Sequence, residues 1–270
     1  MGIDRRKFMQ ISGLTVLTVA GAKASKALGS SESSHSMAGG TKKRWAMVID
    51  LKKCHEQADC HDCVKACHLY HNVPDYGNRK DEIKWIWKEN FHHAFHEQEH
   101  QFLEKEITEK PALVLCNHCD NPPCVRVCPT QATWKRKKDG VVMMDWHRCI
   151  GCRYCVVACP YGSRSFNWRD PRLQLEATDQ TINPDFPTRT RGVVEKCTFC
   201  EERMHLEEEA NKDNPDFVFK PECVKACKYG AMAFGDLEDP ESEVRKMLAD
   251  RFSIRRKPAL GTEPEVYYLV

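Results

Sequence analysis

The chain has 270 residues and 16 cysteines, and the cysteines are spaced as metal ligands. The run Cys149, Cys152, Cys155, Cys159, Pro160 reads C-x2-C-x2-C-x3-C-P. In that pattern three thiolates hold one cubane iron–sulfur cluster and the fourth ligates a neighbouring cluster. Cys116, Cys119, Cys124, Cys128 and Pro129 repeat the device, with four residues between the second and third cysteines. Two residues between thiolates let a tight turn aim both sulfurs at adjacent iron corners. The x3 step suits a helical turn that carries its sulfur toward the other cluster, and proline stops the helix there. A single C-x2-C also reads as a zinc knuckle or redox pair. Two complete runs, each closed by proline, argue for clusters instead.

The remaining cysteines complete a repeat. Val48-Ile-Asp50-Leu-Lys-Lys-Cys54 matches Met143-Met-Asp145-Trp-His-Arg-Cys149 in type, position by position. Cys128, Cys159 and Cys227 each have a small residue four places on, at Ala132, Ser163 and Ala231. Two further motifs follow: Cys54, Cys60, Cys63, Cys67 as C-x5-C-x2-C-x3-C, and Cys197, Cys200, Cys223, Cys227 as C-x2-C-x22-C-x3-C. All 16 cysteines are then used, which predicts four [4Fe-4S] clusters. The fourth-cysteine exchange predicts these groups: Cys116, Cys119, Cys124 with Cys159; Cys149, Cys152, Cys155 with Cys128; Cys54, Cys60, Cys63 with Cys227; and Cys197, Cys200, Cys223 with Cys67. The outer motifs depart from the pattern. His68 and Lys228 replace the closing prolines, and the first gap holds five residues, including His55 and Asp59 as substitute ligands. A three-iron cluster, a different ligand or an empty site stays open there.

Composition bounds the rest. Hydrophobic residues make up 41% of the chain and mean hydropathy is −0.60, so the apolar core is modest and cofactor cages would stand in for part of it. The formal charge is +2. Residues 1–27 hold five Lys and Arg against one Asp, leaving 36 basic and 38 acidic residues beyond them. Such a balance does not suggest a nucleic-acid binder. Asp4-Arg5-Arg6-Lys7-Phe8-Met9 resembles the twin-arginine export motif, and an apolar run, Ile11 to Ala22, follows it. That route carries folded proteins, which suits a chain loaded with clusters before export, so a periplasmic location is expected. Residues 28–43 read as a Ser/Gly-rich linker.

The fold class read from these features is α+β: duplicated bacterial-type 2[4Fe-4S] ferredoxin folds with short antiparallel strands, short helices and long loop insertions. Residues 44–110 with 193–237 form an outer unit that opens on a strand, Trp45–Asp50. Residues 111–170 form the central unit, 171–192 an insertion open to partners, and 238–270 a C-terminal helix, capped by Asp239-Pro240, with a tail. A helix is expected from Glu201 to Asn211. No C-terminal membrane anchor is expected, since no apolar run of about 20 residues occurs there. His92, His96 and His100 recur at i, i+4, i+8, which on one helix would share a face. Such a face could bind a metal, but the surrounding Glu and Gln residues favour a solvated surface.

With the four motifs placed, the chain beyond residue 43 resembles the four-cluster iron–sulfur subunits of the DMSO reductase/NrfC-like family, through C-x2-C-x4-C-x3-C-P and C-T-F-C…C-V-K-A-C. Glu82-Ile-Lys-Trp-Ile-Trp87, Leu115–Cys124 and Tyr161–Trp168 are most similar to the periplasmic ferredoxin subunits of Dsr-type membrane complexes of sulfate reducers. The resemblance implies an NrfD-like integral membrane partner that handles menaquinone, a multihaem cytochrome c partner and other Dsr-type subunits. It implies an electron relay without substrate chemistry, and no Ser/His/Asp set, phosphate loop or dinucleotide fingerprint suggests otherwise. The iron–sulfur subunit of a molybdopterin oxidoreductase for polysulfide, tetrathionate or DMSO is the alternative. A zinc- or disulfide-stapled binding protein is a third reading.

Overall fold

The computed structural model describes residues 43–57, 59–178, 181–214 and 217–270. The expected export segment, residues 1–27, and, apart from residue 43, the expected linker, residues 28–43, lie outside them. The described residues form one compact unit.

Strand β1 (Trp45–Asp50) is buried along its whole length, because both of its faces are covered. Alternation along a strand sends Trp45, Met47 and Ile49 into the main core and Ala46 and Val48 into a second cluster. Two short helices follow, α1 (Leu51–His55) and α2 (Asp62–Tyr70). Strand β2 (Ile86–Glu89), helices α3 (Phe91–Phe95) and α4 (Lys105–Thr108), and strand β3 (Ala112–Leu115) come next. The central stretch holds α5 (Pro123–Arg126), β4 (Thr133–Lys135), β5 (Val142–Met144) and α6 (Tyr154–Ala158). Beyond it run β6 (Ser165–Phe166), α7 (Pro171–Ala177), β7 (Val194–Glu195), α8 (Glu201–Ala210) and α9 (Glu222–Lys225). The chain continues with β8 (Met232–Asp236), α10 (Glu243–Asp250), β9 (Ser253–Ile254) and β10 (Val266–Leu269). Among the described residues no helix is long and apolar enough to cross a membrane.

The principal sheet has the order β8-β1-β10-β9, and three two-stranded pairs, β2-β3, β4-β5 and β6-β7, complete the strands. Pairing is antiparallel except that β10 runs parallel to β1, with Met47 opposite Val266 and Ile49 opposite Tyr268. This corrects the all-antiparallel expectation. From β8 the chain crosses over through α10 and returns beside β1 on the edge that β8 leaves open. Residues 266–269 are therefore sheet core rather than tail, with Val266, Tyr268 and Leu269 buried.

The α10 helix starts at Ser242, whose Oγ accepts the Arg245 amide, and not at Asp239. The Asp239 carboxylate instead accepts the Glu241 amide, one turn earlier. The insertion 171–192 is also more firmly placed than expected. Asn72 and Asn183 bond reciprocally, through Asn72 Nδ2 to Asn183 O at 2.9 Å and Asn183 N to Asn72 Oδ1 at 2.7 Å. Arg189 forms a fully buried ion pair with Glu195 at 2.6 Å and donates to the carbonyls of His71 and Asn72. Trp85 Nε1 donates to the same carboxylate at 2.9 Å.

Candidate metal centres

The repeated sequences are repeated geometries. Asp50 Oδ1 accepts the Lys53 amide at 3.1 Å, and Asp145 Oδ1 accepts the His147 amide at 2.8 Å. Each aspartate thus caps the turn that delivers the first cysteine of its motif. In three C-x2-C turns the residue before the second cysteine is left-handed: His118 (φ 42°), Gly151 (φ 68°) and Phe199 (φ 58°). After three of the closing cysteines, the third residue is left-handed: Gln131, Gly162 and Gly230. That turn aims the next amide back at the sulfur. Ala231 N donates to Cys227 Sγ at 3.3 Å, Ser163 N to Cys159 and Ala132 N to Cys128. The fourth residue is small because it is buried there (Ala132, Ser163 and Ala231).

Cys67 is the exception. After it α2 continues to Tyr70, and His71 replaces the small residue. His71 Nδ1 lies 2.8 Å from Cys67 O and 3.6 Å from Cys67 Sγ, so a ring N–H stands where the amide stands elsewhere.

The thiols gather in four groups, numbered here in spatial order. Cage 1 is Cys54, Cys60, Cys63 and Cys227: the Cys63 thiol is pushed up to about 12 by burial and then by Cys54, Cys227 and Cys60. Cage 2 is Cys67, Cys197, Cys200 and Cys223: burial and then Cys223, Cys197 and Cys200 hold the Cys67 thiol far above its usual range. Cage 3 is Cys116, Cys119, Cys124 and Cys159, with Cys119 raised by burial and then by the other three. In cage 4 Cys149 neighbours Cys155, and Cys128, Cys149 and Cys155 pack on one apolar cluster with Cys124. Cys152 is assigned to this cage by its place in the sequence motif.

The groups form a line. Cys63 of cage 1 adjoins Cys67 and Cys223 of cage 2, Cys197 of cage 2 adjoins Cys116 of cage 3, and Cys124 of cage 3 adjoins Cys155 of cage 4. All four cage 2 cysteines are buried, as are three in cage 3, whereas cages 1 and 4 each have three partly exposed cysteines.

None of the sixteen cysteines is in a disulfide, and their surroundings fit an iron–sulfur cubane better than a single ion. Burial beside other thiols disfavours thiolates until a cation compensates them. N–H groups nevertheless point at the sulfurs, as they would at anions: Phe199 N to Cys197 Sγ and Glu222 N to Cys200 Sγ, both at 3.4 Å. A tetrahedral zinc with four thiolates would bring its sulfurs to roughly 3.8 Å from one another, from Zn–S distances of about 2.3 Å. Among the described residues the one trio of candidate ligands within 4.8 Å is His71, Cys200 and Glu202, at the margin of cage 2. Among the described residues no three sulfurs of one cage lie within that distance of one another, as fits ligands spread around a larger cluster.

Buried cations sit at the seams. Between cages 3 and 4, Arg164 Nη2 donates to Cys124 Sγ at 3.1 Å and to Thr133 Oγ1 at 2.8 Å. Between cages 2 and 3, Lys196 donates to the carbonyls of Val142 and Cys197. Burial lowers the Lys196 pKa, although the Cys116 and Cys197 thiols oppose it. His118 Nε2 donates to Cys197 O at 3.1 Å, Nδ1 accepts the Val142 amide, and the ring stacks on Phe199 at 3.7 Å. The equivalent left-handed residues of two C-x2-C turns thus touch face to face.

The histidine stripe does not exist as a helical face. Helix α3 ends at Phe95, a short 3-10 turn follows, and His100 lies beyond it. His92 pairs with Glu99 and His96 with Glu97, all at the surface. His55 is buried against the segment Glu106–Pro111, and Asp59 is exposed. Neither joins the cage 1 thiols. The sequence reading missed His71, Arg164 and Lys196. One signal was available for His71: the repeat that puts a small residue four places after three closing cysteines puts histidine after the fourth.

Two 4Fe-4S dicluster domain families match the chain, over residues 112–175 and 148–231. The chain is 40% identical over 246 residues to the Hdr-like menaquinol oxidoreductase iron-sulfur subunit 1 of Archaeoglobus fulgidus, covering 84% of this chain and 83% of that one. It is 38% identical over 238 residues to the menaquinone reductase iron-sulfur cluster-binding subunit of Nitratidesulfovibrio vulgaris, covering 84% and 88%. It is 36% identical over 233 residues to a subunit of the tetrathionate reductase of Salmonella typhimurium, covering 86% and 74%. By these likenesses the chain belongs to the family of 4Fe-4S iron–sulfur subunits of menaquinol oxidoreductase and NrfC/DMSO reductase-type complexes.

Proposed function

We propose that the chain is an electron relay holding four [4Fe-4S] clusters, one in each cage. The observation that carries this reading is the line of four thiol cages, with buried cages in the middle and partly exposed ones at both ends. Each bound cluster would supply one centre able to gain or lose a single electron. The chain's own residues do the rest. They fix the order of the centres, keep water from the middle two, and place N–H donors and buried cations around the sulfurs, where they set the potentials.

The two ends differ in surface. Beside cage 4, Ile150, Tyr154 and Val157 are exposed, an apolar face suited to a lasting contact with a partner protein. Beside cage 1, Lys53 and Lys65 are exposed, and the exposed Lys52 and Lys228 pair with Glu104 and Asp62, a charged face that suits a shorter-lived electrostatic encounter.

On this reading the chain corresponds to DsrO, the ferredoxin subunit of a Dsr-type membrane complex in sulfate or sulfite respiration. Electrons pass between a multihaem cytochrome c and an NrfD-like quinone-interacting membrane subunit. The protein is periplasmic, exported folded by the twin-arginine route, and held at the membrane by its partners. The likeness to the tetrathionate reductase protein supports a second reading, an iron–sulfur subunit serving a molybdopterin enzyme. Metal and haem analysis of the complex purified from native membranes separates the two. Haem c and a quinone-reactive membrane subunit support the relay in a Dsr-type complex. Molybdenum at one per chain, with a large pterin-binding subunit, supports the second reading.

A further inference from the structure

Arg164 is 3% exposed, and among the described residues no carboxylate lies within ion-pair distance of it. Arg189, as deeply buried, is paired with Glu195 at 2.6 Å. A buried guanidinium without an anion is strongly disfavoured. The contacts of Arg164 show which anions are at hand. Nη2 donates to Cys124 Sγ of cage 3 at 3.1 Å, and the guanidinium also neighbours Cys155 of cage 4. Nη2 is fixed by Thr133 Oγ1 at 2.8 Å, and Nη1 faces Met144 Sδ at 3.7 Å. Cys116 and Cys159 are its next thiol neighbours. The backbone delivers Arg164 to the seam: Cys159 closes its motif, Gly162 turns left-handed, and the side chain two residues on enters between α5 and α6.

We infer that Arg164 is a positioning residue whose fixed positive charge is shared by the centres in cages 3 and 4 and raises the reduction potentials of both. The inference rests on the cluster-holding reading above. Each reduction adds one electron to a centre and so increases the negative charge beside Arg164. The guanidinium stabilises the reduced state more than the oxidised one, and it softens the repulsion between electrons on adjacent centres. Its charge is permanent across the working pH range, so this effect needs no proton.

The test is a potentiometric titration of the cluster-loaded protein followed by EPR, on wild type, R164Q and R164K, with iron and acid-labile sulfide measured on each sample. In R164Q two of the four reduction steps should move to lower potential by at least tenfold in equilibrium constant, about 59 mV for one electron. The other two should stay in place. R164K keeps the charge and should move those two steps by less than half as much. No movement in R164Q, equal movement of all four steps, or equal shifts in R164K and R164Q would overturn the inference. Iron lost from R164Q but kept by R164K upholds the role of the charge, whereas iron lost from both reduces Arg164 to packing. Wild-type protein without iron would instead defeat the cluster-holding reading, and this inference with it.

Discussion

Gly151 is the position where the smallest change should do the most local damage. It has φ +68°, and a Cβ there would lie 2.3 Å from Gly192 O and 3.0 Å from Phe166 Cε2. Alanine in the left-handed region costs about 1–2 kcal/mol. Relieving the contact requires the 192 carbonyl to move by about 1 Å, and overpacking of this kind costs about 1–3 kcal/mol. The displaced backbone is not slack: Gly192 N donates to Asn167 O and Asn167 N to Val193 O, both at 2.9 Å. Gly151→Ala should therefore cost about 2–5 kcal/mol. A chain with the usual margin of roughly 5–15 kcal/mol stays folded, but the Cys149–Cys152 turn is displaced. Gly77→Ala is the control, because Gly77 has φ +63° and nothing within 4 Å of a built Cβ. It carries the backbone strain alone. The assay is iron per chain together with the thermal midpoint. G151A should lose about four irons, one cubane's worth, and melt roughly 4–20 °C lower, at about 2–4 °C per kcal/mol. G77A should keep its iron and melt a few degrees lower. Full iron and an unchanged melt in G151A would refute the reasoning about this turn.

Other perturbations follow from the same geometry. Removing one partner of the buried Arg189–Glu195 pair, by Arg189→Met or Glu195→Gln, should cost about 3–5 kcal/mol in chemical denaturation. The double substitution R189M/E195L should cost less than the two single costs added. Cys227→Ser should alter the EPR signal of the centre held by Cys54, Cys60 and Cys63, although Cys227 belongs to the motif of Cys197, Cys200 and Cys223. A change confined to the latter centre would contradict the exchange. Burial, and then Lys196, holds His118 neutral well below its ordinary range. The unfolded chain takes up a proton that the folded one refuses, so this contribution is intact above about pH 6.5 and is lost as pH falls below it, by up to about 1.4 kcal/mol per pH unit. Unfolding curves at pH 7.5 and 5.5 should differ more for wild type than for His118→Gln.

The cysteine grammar was legible because it encodes local geometry. Asp50 and Asp145, read only as matching letters, prove to be matching caps, and the small residues at 132, 163 and 231 leave room for an amide to reach a sulfur. Long-range features were not legible. Nothing in Glu265-Val-Tyr-Tyr-Leu says that this strand lies parallel to β1, about 220 residues earlier, since any β-forming segment fits an open sheet edge. The spacing of His92, His96 and His100 suggests a helical face only if the helix continues, and here it stops at Phe95. Arg164, Lys196 and Arg189 are one-letter charges like the many at the surface. Their burial depends on which segments the fold brings around them, and no periodicity in the sequence marks that.

Iron and acid-labile sulfide per chain, measured on anaerobically purified protein with EPR of the reduced form, test the central claim most directly. Four loaded cages require about sixteen of each, with signals broadened by neighbouring paramagnets along the line. About twelve would mean that one cage takes no full cluster, with the five-residue gap in cage 1 as the first place to look. Near-zero iron, with zinc or disulfides in its place, would contradict the account.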